Sequence, residues 1–223
     1  MSGGAGFPVI ISGPAGSGKG TVVRALLPMC DKYALSVSMT TRAPRPGEID
    51  GVNYWFVSAE EFKSRVGHRQ MLEYTFYNGN HYGTPADRLR ELTRLGFKVI
   101  LEIETEGARN VRAMIPGTPS IFLTPPTFAE LGQRLRGRGT ESEENIIRRL
   151  ERAKSEVAEL PSFDYLIINY KGCAAAAAAN IDTIIKYESV LRGGGADAEM
   201  EKQIAQFKIT PAMADAFIGE YYK

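Results

Sequence analysis

The stretch that most restricts what this chain can become is FPVIISGPAGSGKGTVVRALL, Phe7 to Leu27. An apolar run of strand length is followed by Gly-x-x-x-x-Gly-Lys and then by a segment with helical periodicity. This order aims successive backbone N–H groups at an anion and sets a helix dipole behind them. It commits the chain to a strand–loop–helix unit that binds phosphate. Gly13 and Gly18 supply the turn, with Pro14, Ala15, Gly16 and Ser17 between them, and Lys19 would reach the β- and γ-phosphates of a bound nucleotide. The hydroxyl residue that usually follows the lysine and touches magnesium is replaced by Gly20. A magnesium ion, which gives up its waters reluctantly, would then be held mainly by phosphate oxygens and water. Thr21 is placed to contact a phosphate or a metal-bound water.

The rest of the chain repeats the alternation of short apolar runs and amphipathic stretches expected of an α/β protein with a mostly parallel sheet. YALSVS, FKVILEI, SIFL and DYLIIN read as further strands. Between Thr40 and Gly96 the rhythm breaks: VNYWFVS and MLEYTFYNGNHYG are rich in aromatics and divided by turn residues, which predicts an inserted subdomain on a small mixed or antiparallel sheet. Ser58 with Glu61 forms a capping box, and Thr84 with Pro85 is expected to open a helix closed by Gly96. Thr140 with Glu143 repeats the capping pattern. The six alanines of GCAAAAAANIDTIIKYESVLR predict a helix close against the sheet. Gly193 to Gly195 read as a linker, and TPAMADAFIGEYY as an appended helical tail with Met213 and Phe217 on one face.

Within SVSMTTRAPRPGEIDGVNYWF, Arg42 and Arg45 lie three apart across a proline-containing turn and can converge on one phosphate. Their surroundings, Ser-x-Thr-Thr-Arg-x-Pro-Arg, then Gly-Glu-x-x-Gly-x-x-Tyr, then Glu73 in MLEY, then GNHYGT and later RLRGRGT, resemble the guanylate kinase family. The matches run in order from about Phe7 to Arg192. The resemblance implies a nucleotide-binding parallel sheet flanked by helices over residues 7–192 (core 7–37 and 97–192), a GMP-binding insert over 38–96, a helical lid at about 134–150, and an appendage over 193–223. It makes Arg42, Arg45, Tyr54 and Tyr82 the grip on the GMP phosphate, with Ser38, Glu73, Gly83 and Thr84 around the guanine. An ionised carboxylate at Glu73 accepts from guanine N1–H and N2–H, a pair that adenine does not present.

The resemblance also implies that Arg134, Arg138 and Arg149 close over the transferred phosphoryl group, leaving Arg136, Arg148 and Arg152 as solvated charges. Asn169 matches a residue near the adenine of ATP. Glu104 and Glu106 stand where the family has an aspartate and a glutamine, so Glu104 carries the same charge one methylene further. Glu102 is a candidate to orient hydrated magnesium. Tyr170 and Lys171 depart from the family's Asp-Asp. His68 and His81 match no functional position and read as surface histidines.

Twenty-seven basic against 26 acidic residues, a net charge of +1, indicate neither nucleic acid nor anionic membrane as a partner. Cys30 and Cys173 lack metal-ligand spacing and read as small buried hydrophobes. These features point to the cytoplasm. The expected activity is ATP-dependent phosphorylation of GMP, and of dGMP, with oligomeric state left open. Two other readings are a kinase with a different acceptor and a guanylate-kinase-like interaction module without catalysis. Glu73, Ser38 and Thr84 speak against the first, Lys19 and the retained arginines against the second.

Overall fold

A computed structural model of the chain describes residues 5–77, 79–137 and 142–222. Its central sheet is fully parallel, in the order β2 (Tyr33–Leu35), β7 (Lys98–Glu102), β1 (Phe7–Ser12), β8 (Ser120–Thr124) and β9 (Tyr165–Ile168). Helices cover both faces, so its strands are apolar throughout rather than alternating. Along β1, Phe7, Val9 and Ile11 face α1 (Lys19–Leu26) and α7 (Ala174–Gly193). Ile10 faces the opposite layer, with α3 (Ala86–Arg94), α4 (Thr105–Met114) and the end of α6 (Glu143–Ala158). The alanine run behaves as expected: Ala177 and Ala178 are buried, letting α7 approach α1 and β9 closely.

A second sheet, in the order β4 (Trp55–Phe56), β3 (Met39–Thr40), β6 (Asn80–Pro85), β5 (Met71–Tyr77), is mixed: β3 pairs in parallel with β4 and antiparallel with β6. It encloses its own small core of Met39, Phe62 and Met71 under α2 (Ala59–Gly67). Ser58 caps α2, its Oγ accepting from Glu61 N at 3.1 Å.

Several sequence expectations are corrected. The strand at YALSVS stops at Leu35, where the chain turns away toward the second sheet. Thr84 does not cap α3. It ends inside β6, the cap position is Pro85 without a side-chain bond, and the Thr84 hydroxyl donates to Glu73, because strand pairing sets Thr84 opposite that residue rather than at the helix end. Thr140 lies outside the described residues; the described cap of α6 is Ser142, accepting from Asn145 N. Cys173 is exposed and Cys30 half-buried. His81 is stacked on Phe62, with ring centroids 5.2 Å apart, rather than free in solvent.

Beyond α7, Gly194 and Gly195 adopt positive φ of 134° and 124°, and two further helices follow, α8 (Ala198–Ala205) and α9 (Pro211–Tyr221). Met213 and Phe217 both pack on the core, as their spacing suggested. Among the described residues no helix is long and apolar enough to cross a membrane.

Candidate active site

The carboxyl ends of β1, β7, β8 and β9 lie along one edge of the sheet, which is where parallel α/β proteins place ligands. From β1 the chain enters the Gly13–Gly18 loop, in which Gly13, Gly16 and Gly18 take φ of 138°, 93° and 92°. Space as well as conformation requires glycine here. A Cβ on Gly13 would lie 2.0 Å from Leu123 O, and one on Gly18 would lie 2.5 Å from Asn169 Nδ2. The loop ends in the N-terminus of α1. Lys19 folds back over it, its Nζ donating to Gly13 O at 2.5 Å and Pro14 O at 3.3 Å.

Asn169, just past β9, fastens the loop from the other side. Its Nδ2 donates to Ser17 O at 2.8 Å and its backbone N–H to Thr124 O at 2.8 Å. Its Oδ1 is buried with no partner among the described residues, as is Ser17 Oγ. Arg134, on α5 (Phe128–Arg136), reaches the same spot: Nη1 to Ser17 O at 3.3 Å and Nη2 to Asn169 O at 2.6 Å, with Nε on Glu130 at 3.0 Å. A cation, an orphaned amide oxygen and the phosphate loop therefore converge. Arg149 is half-buried on α6 and, among the described residues, lines neither cleft in this conformation. Arg138 lies outside the described residues.

Two clefts meet at this edge. One, of about 460 Å³, is floored by Ala15 to Thr21. The other, of about 240 Å³, is lined by Ser38, Arg42, Arg45, Tyr54, Glu73, Tyr82 and Gly83 of the insert. They share Ser38, Tyr54, Glu102, Ile103 and Glu104 as a common wall. At the inner end of the smaller cleft, Glu73 is 7% exposed and accepts from Thr84 Oγ1 at 2.6 Å. A Cβ on Gly107 would come within 3.0 Å of Glu73 Oε2, so the α4 backbone closes that wall. Burial pushes the Glu73 carboxyl up to about 7, against the Thr84 hydrogen bond and with help from the charges of Glu104 and Glu106.

At the mouth, Arg42 is held by a residue that sequence reasoning passed over. Its Nη2 lies 2.9 Å from each oxygen of Glu48, which also accepts from Arg45 N at 2.7 Å. Tyr54 and Tyr82 meet edge to face at 6.0 Å, with the Arg42 guanidinium 5.5 Å from the Tyr54 ring. Glu48 stood in the quoted Gly-Glu-x-x-Gly pattern, three residues after Arg45; that spacing was the available signal.

Arg152 is also misread by sequence as a solvated charge. It bridges Glu104 with Nη2 and Glu156 with Nε, the latter at 3.0 Å. One turn of α6 thus carries a cation to the acidic wall where the chain departs from the family. Glu102 is half-buried at the end of β7, and desolvation raises its carboxyl while Lys19 and Arg24 pull it down. No group of three or more His, Cys, Asp or Glu gathered for a metal occurs among the described residues.

The sequence profile of the guanylate kinase family matches residues 6–183. A guanylate kinase of Streptococcus thermophilus (strain CNRZ 1066) is 47% identical over 184 residues, covering 82% of this chain and 87% of that one. One of Thermosynechococcus vestitus is 51% identical over 161 residues, covering 72% and 84%. Among solved structures, guanylate kinase from Anaplasma phagocytophilum superposes with a TM-score of 0.68 at 31% identity, covering 83% of this chain and 87% of that chain.

Proposed function

The chain belongs to the guanylate kinase family and is an enzyme that phosphorylates GMP, and on that basis we propose that it takes the γ-phosphoryl group from ATP, with magnesium, and also accepts dGMP. The observation that carries this reading is the pair of clefts joined at Ser38, Tyr54 and Glu102 to Glu104. Donor phosphates in the larger cleft and the acceptor phosphate in the smaller one would meet in line across that wall. Transfer then needs positioning and charge stabilisation, and no protein nucleophile.

In this reading Lys19 and the loop N–H groups from Gly13 to Thr21 bind the ATP phosphates, and Lys19 follows the migrating group. Asn169 Oδ1 is the acceptor for the adenine amino group, and Arg134 supplies charge at the phosphoryl group, joined by Arg138 and Arg149 when the lid closes. Arg42 exchanges Glu48 for the GMP phosphate, where the Arg45 side chain joins it, steadied by Tyr54 and Tyr82. Ser38, Glu73, Gly83 and Thr84 receive the guanine, and Glu104 stands beside it, held by Arg152. A catalytically silent interaction module would have no use for Lys19 over the loop and Arg134 on Ser17 O. The free thiols of Cys30 and Cys173 accord with a place in the cytoplasm.

The residues fit magnesium held through phosphates and waters. Gly20 offers no ligand, and a Cβ there would lie 3.4 Å from Glu102 Oε1 and 3.5 Å from Arg24 Nη1, in ordinary contact. Glu102 and Thr21 are the residues placed to hold its waters, and the ion would offset phosphate charge. Gly20→Ser is therefore expected to keep the fold and nucleotide binding while shifting the magnesium concentration for half-maximal rate. A magnesium titration with a parallel melting curve checks it; loss of ATP binding contradicts this arrangement.

The reading as a whole is tested by kcat/KM for GMP, dGMP, AMP and UMP. GMP is expected to exceed AMP by about 10⁴-fold, because adenine leaves a buried carboxylate unpaired. An AMP rate within tenfold of GMP would remove Glu73 from its assigned role.

A further inference from the structure

The family match ends at residue 183, yet the chain beyond it is built into the molecule. Residues 207–209 line the outer edge of β9: Leu166 N donates to Phe207 O at 2.9 Å, Ile209 N to Asp164 O at 2.9 Å, and Tyr165 bridges to Lys208. This pairing covers a sheet edge that would otherwise stand open. From there α9 crosses to the base of the lid, burying Ala214 and Tyr221 in the core below α6.

The last turn of the helix makes specific contacts. Tyr221 is 1% exposed, and its hydroxyl meets Thr124 Oγ1 at 2.9 Å. Thr124 is the residue whose carbonyl holds the backbone of Asn169. Phe128, which begins α5, lies 6.1 Å from the Tyr221 ring and 5.3 Å from that of Tyr222. Tyr222 OH donates to Lys154 O on α6 at 3.2 Å, and Lys154 Nζ in turn lies 5.7 Å from the Phe128 ring. Both lid helices are thus gripped at the ends remote from their connection, where a closing lid must pivot.

Apolar packing accounts for Met213, Phe217 and Ile218. It does not account for a phenol hydroxyl carried into the core, since an unpaired one is costly there and phenylalanine would fill the same space. We propose that Tyr221 and Tyr222 are positioning residues for the donor nucleotide: by fixing Thr124 and the base of α5 and α6 they set where Asn169 and Arg134 stand. This rests on the reading of Asn169 and Arg134 as donor-site residues.

The test uses full-length variants and KM values for ATP and GMP. Tyr221→Phe is expected to raise KM for ATP about three- to tenfold and leave KM for GMP within about twofold. Thr124→Val should do the same, and the double variant should add little, because both remove one hydrogen bond. Tyr222→Phe, at an exposed position, should give a smaller rise in the same direction and covers the case in which the buried variants do not fold. Asn169→Ala is the control. If it raises KM for ATP while the tyrosine variants change nothing, or change both KM values equally, the proposal is overturned and the donor-site reading stands. If Asn169→Ala also leaves KM for ATP unchanged, the donor-site reading falls and the proposal with it.

Discussion

Lys19→Ala is expected to lower turnover about 10³-fold, the scale lost when a preorganised charge on a transferring phosphoryl group is removed. Nζ already hovers over the loop, 2.5 Å from Gly13 O, so the ammonium needs only to exchange carbonyl partners for phosphate oxygens. The nearest other cation on α1, Arg24, is committed elsewhere, with Nη2 3.3 Å from Thr21 Oγ1. KM for GMP should stay within a few-fold, because Lys19 does not line the smaller cleft. The melting temperature should barely move, since Lys19 is half-buried beside the larger cleft and belongs to neither apolar core of the central sheet. Steady-state kinetics with a melting curve decide the matter, and turnover within tenfold of the parent would refute the role given to Lys19.

The second large effect is expected at Glu73. Glu73→Gln should cut kcat/KM for GMP by about 10²- to 10³-fold, because an amide cannot accept from both guanine donors while its own N–H groups face them. The same substitution should stabilise the fold. Folding raises this carboxyl from 4.5 to about 7, so the folded state favours the protonated form. The resulting cost is absent below about pH 4.5, grows as pH rises, and is complete above about pH 7, where it amounts to about 3 kcal/mol. Urea unfolding of parent and variant at pH 5 and pH 8 should therefore show a gain for the variant that is large only at pH 8. In the parent, GMP binding needs the ionised form, so kcat/KM for GMP should fall about tenfold per unit as pH drops below 7. A pH-independent stability difference, or a flat GMP profile between pH 5.5 and 8, would show that Glu73 is not the buried acceptor described here.

The loss of rate and the gain of stability expected at Glu73 come from one physical situation. In the proposed acceptor site a carboxylate sits in a nearly dry wall next to two more, a charge that the two guanine donors would offset. Glu104 and Glu106 make that wall acidic, and the cation that answers it, Arg152, comes from α6. Nothing in the spacing of α6 distinguished Arg152 from Arg148, which pairs with Glu144 four residues before it on the same exposed face. Arg152 differs because the end of α6 passes over Glu104, a contact 48 residues distant in sequence. Glu48 is a more local case: its bond to Arg42 spans six residues, and the turn between them could have suggested it.

Thr84 shows the limit of local rules. Followed by proline and a helical pattern, it satisfied the signs of a helix start, yet strand pairing with β5 brought Glu73 opposite it, and the charged partner took its hydroxyl. The tail shows the same limit at larger scale. Periodicity placed Met213 and Phe217 on one face, but only the fold gave that face something to cover.

What the sequence by itself determined was whatever depends on short-range backbone chemistry. The glycines that must take positive φ, the lysine at the head of α1, the apolar runs that can only be buried strands, and the ordered motifs that carry the family were all legible, because each is encoded within a few residues. What only the tertiary structure decided was which distant charges and hydroxyls meet: Arg152 with Glu104, Thr84 with Glu73, Tyr221 with Thr124. Those pairings depend on how separate elements cross, and burial then sets the strength of each contact and the protonation of Glu73.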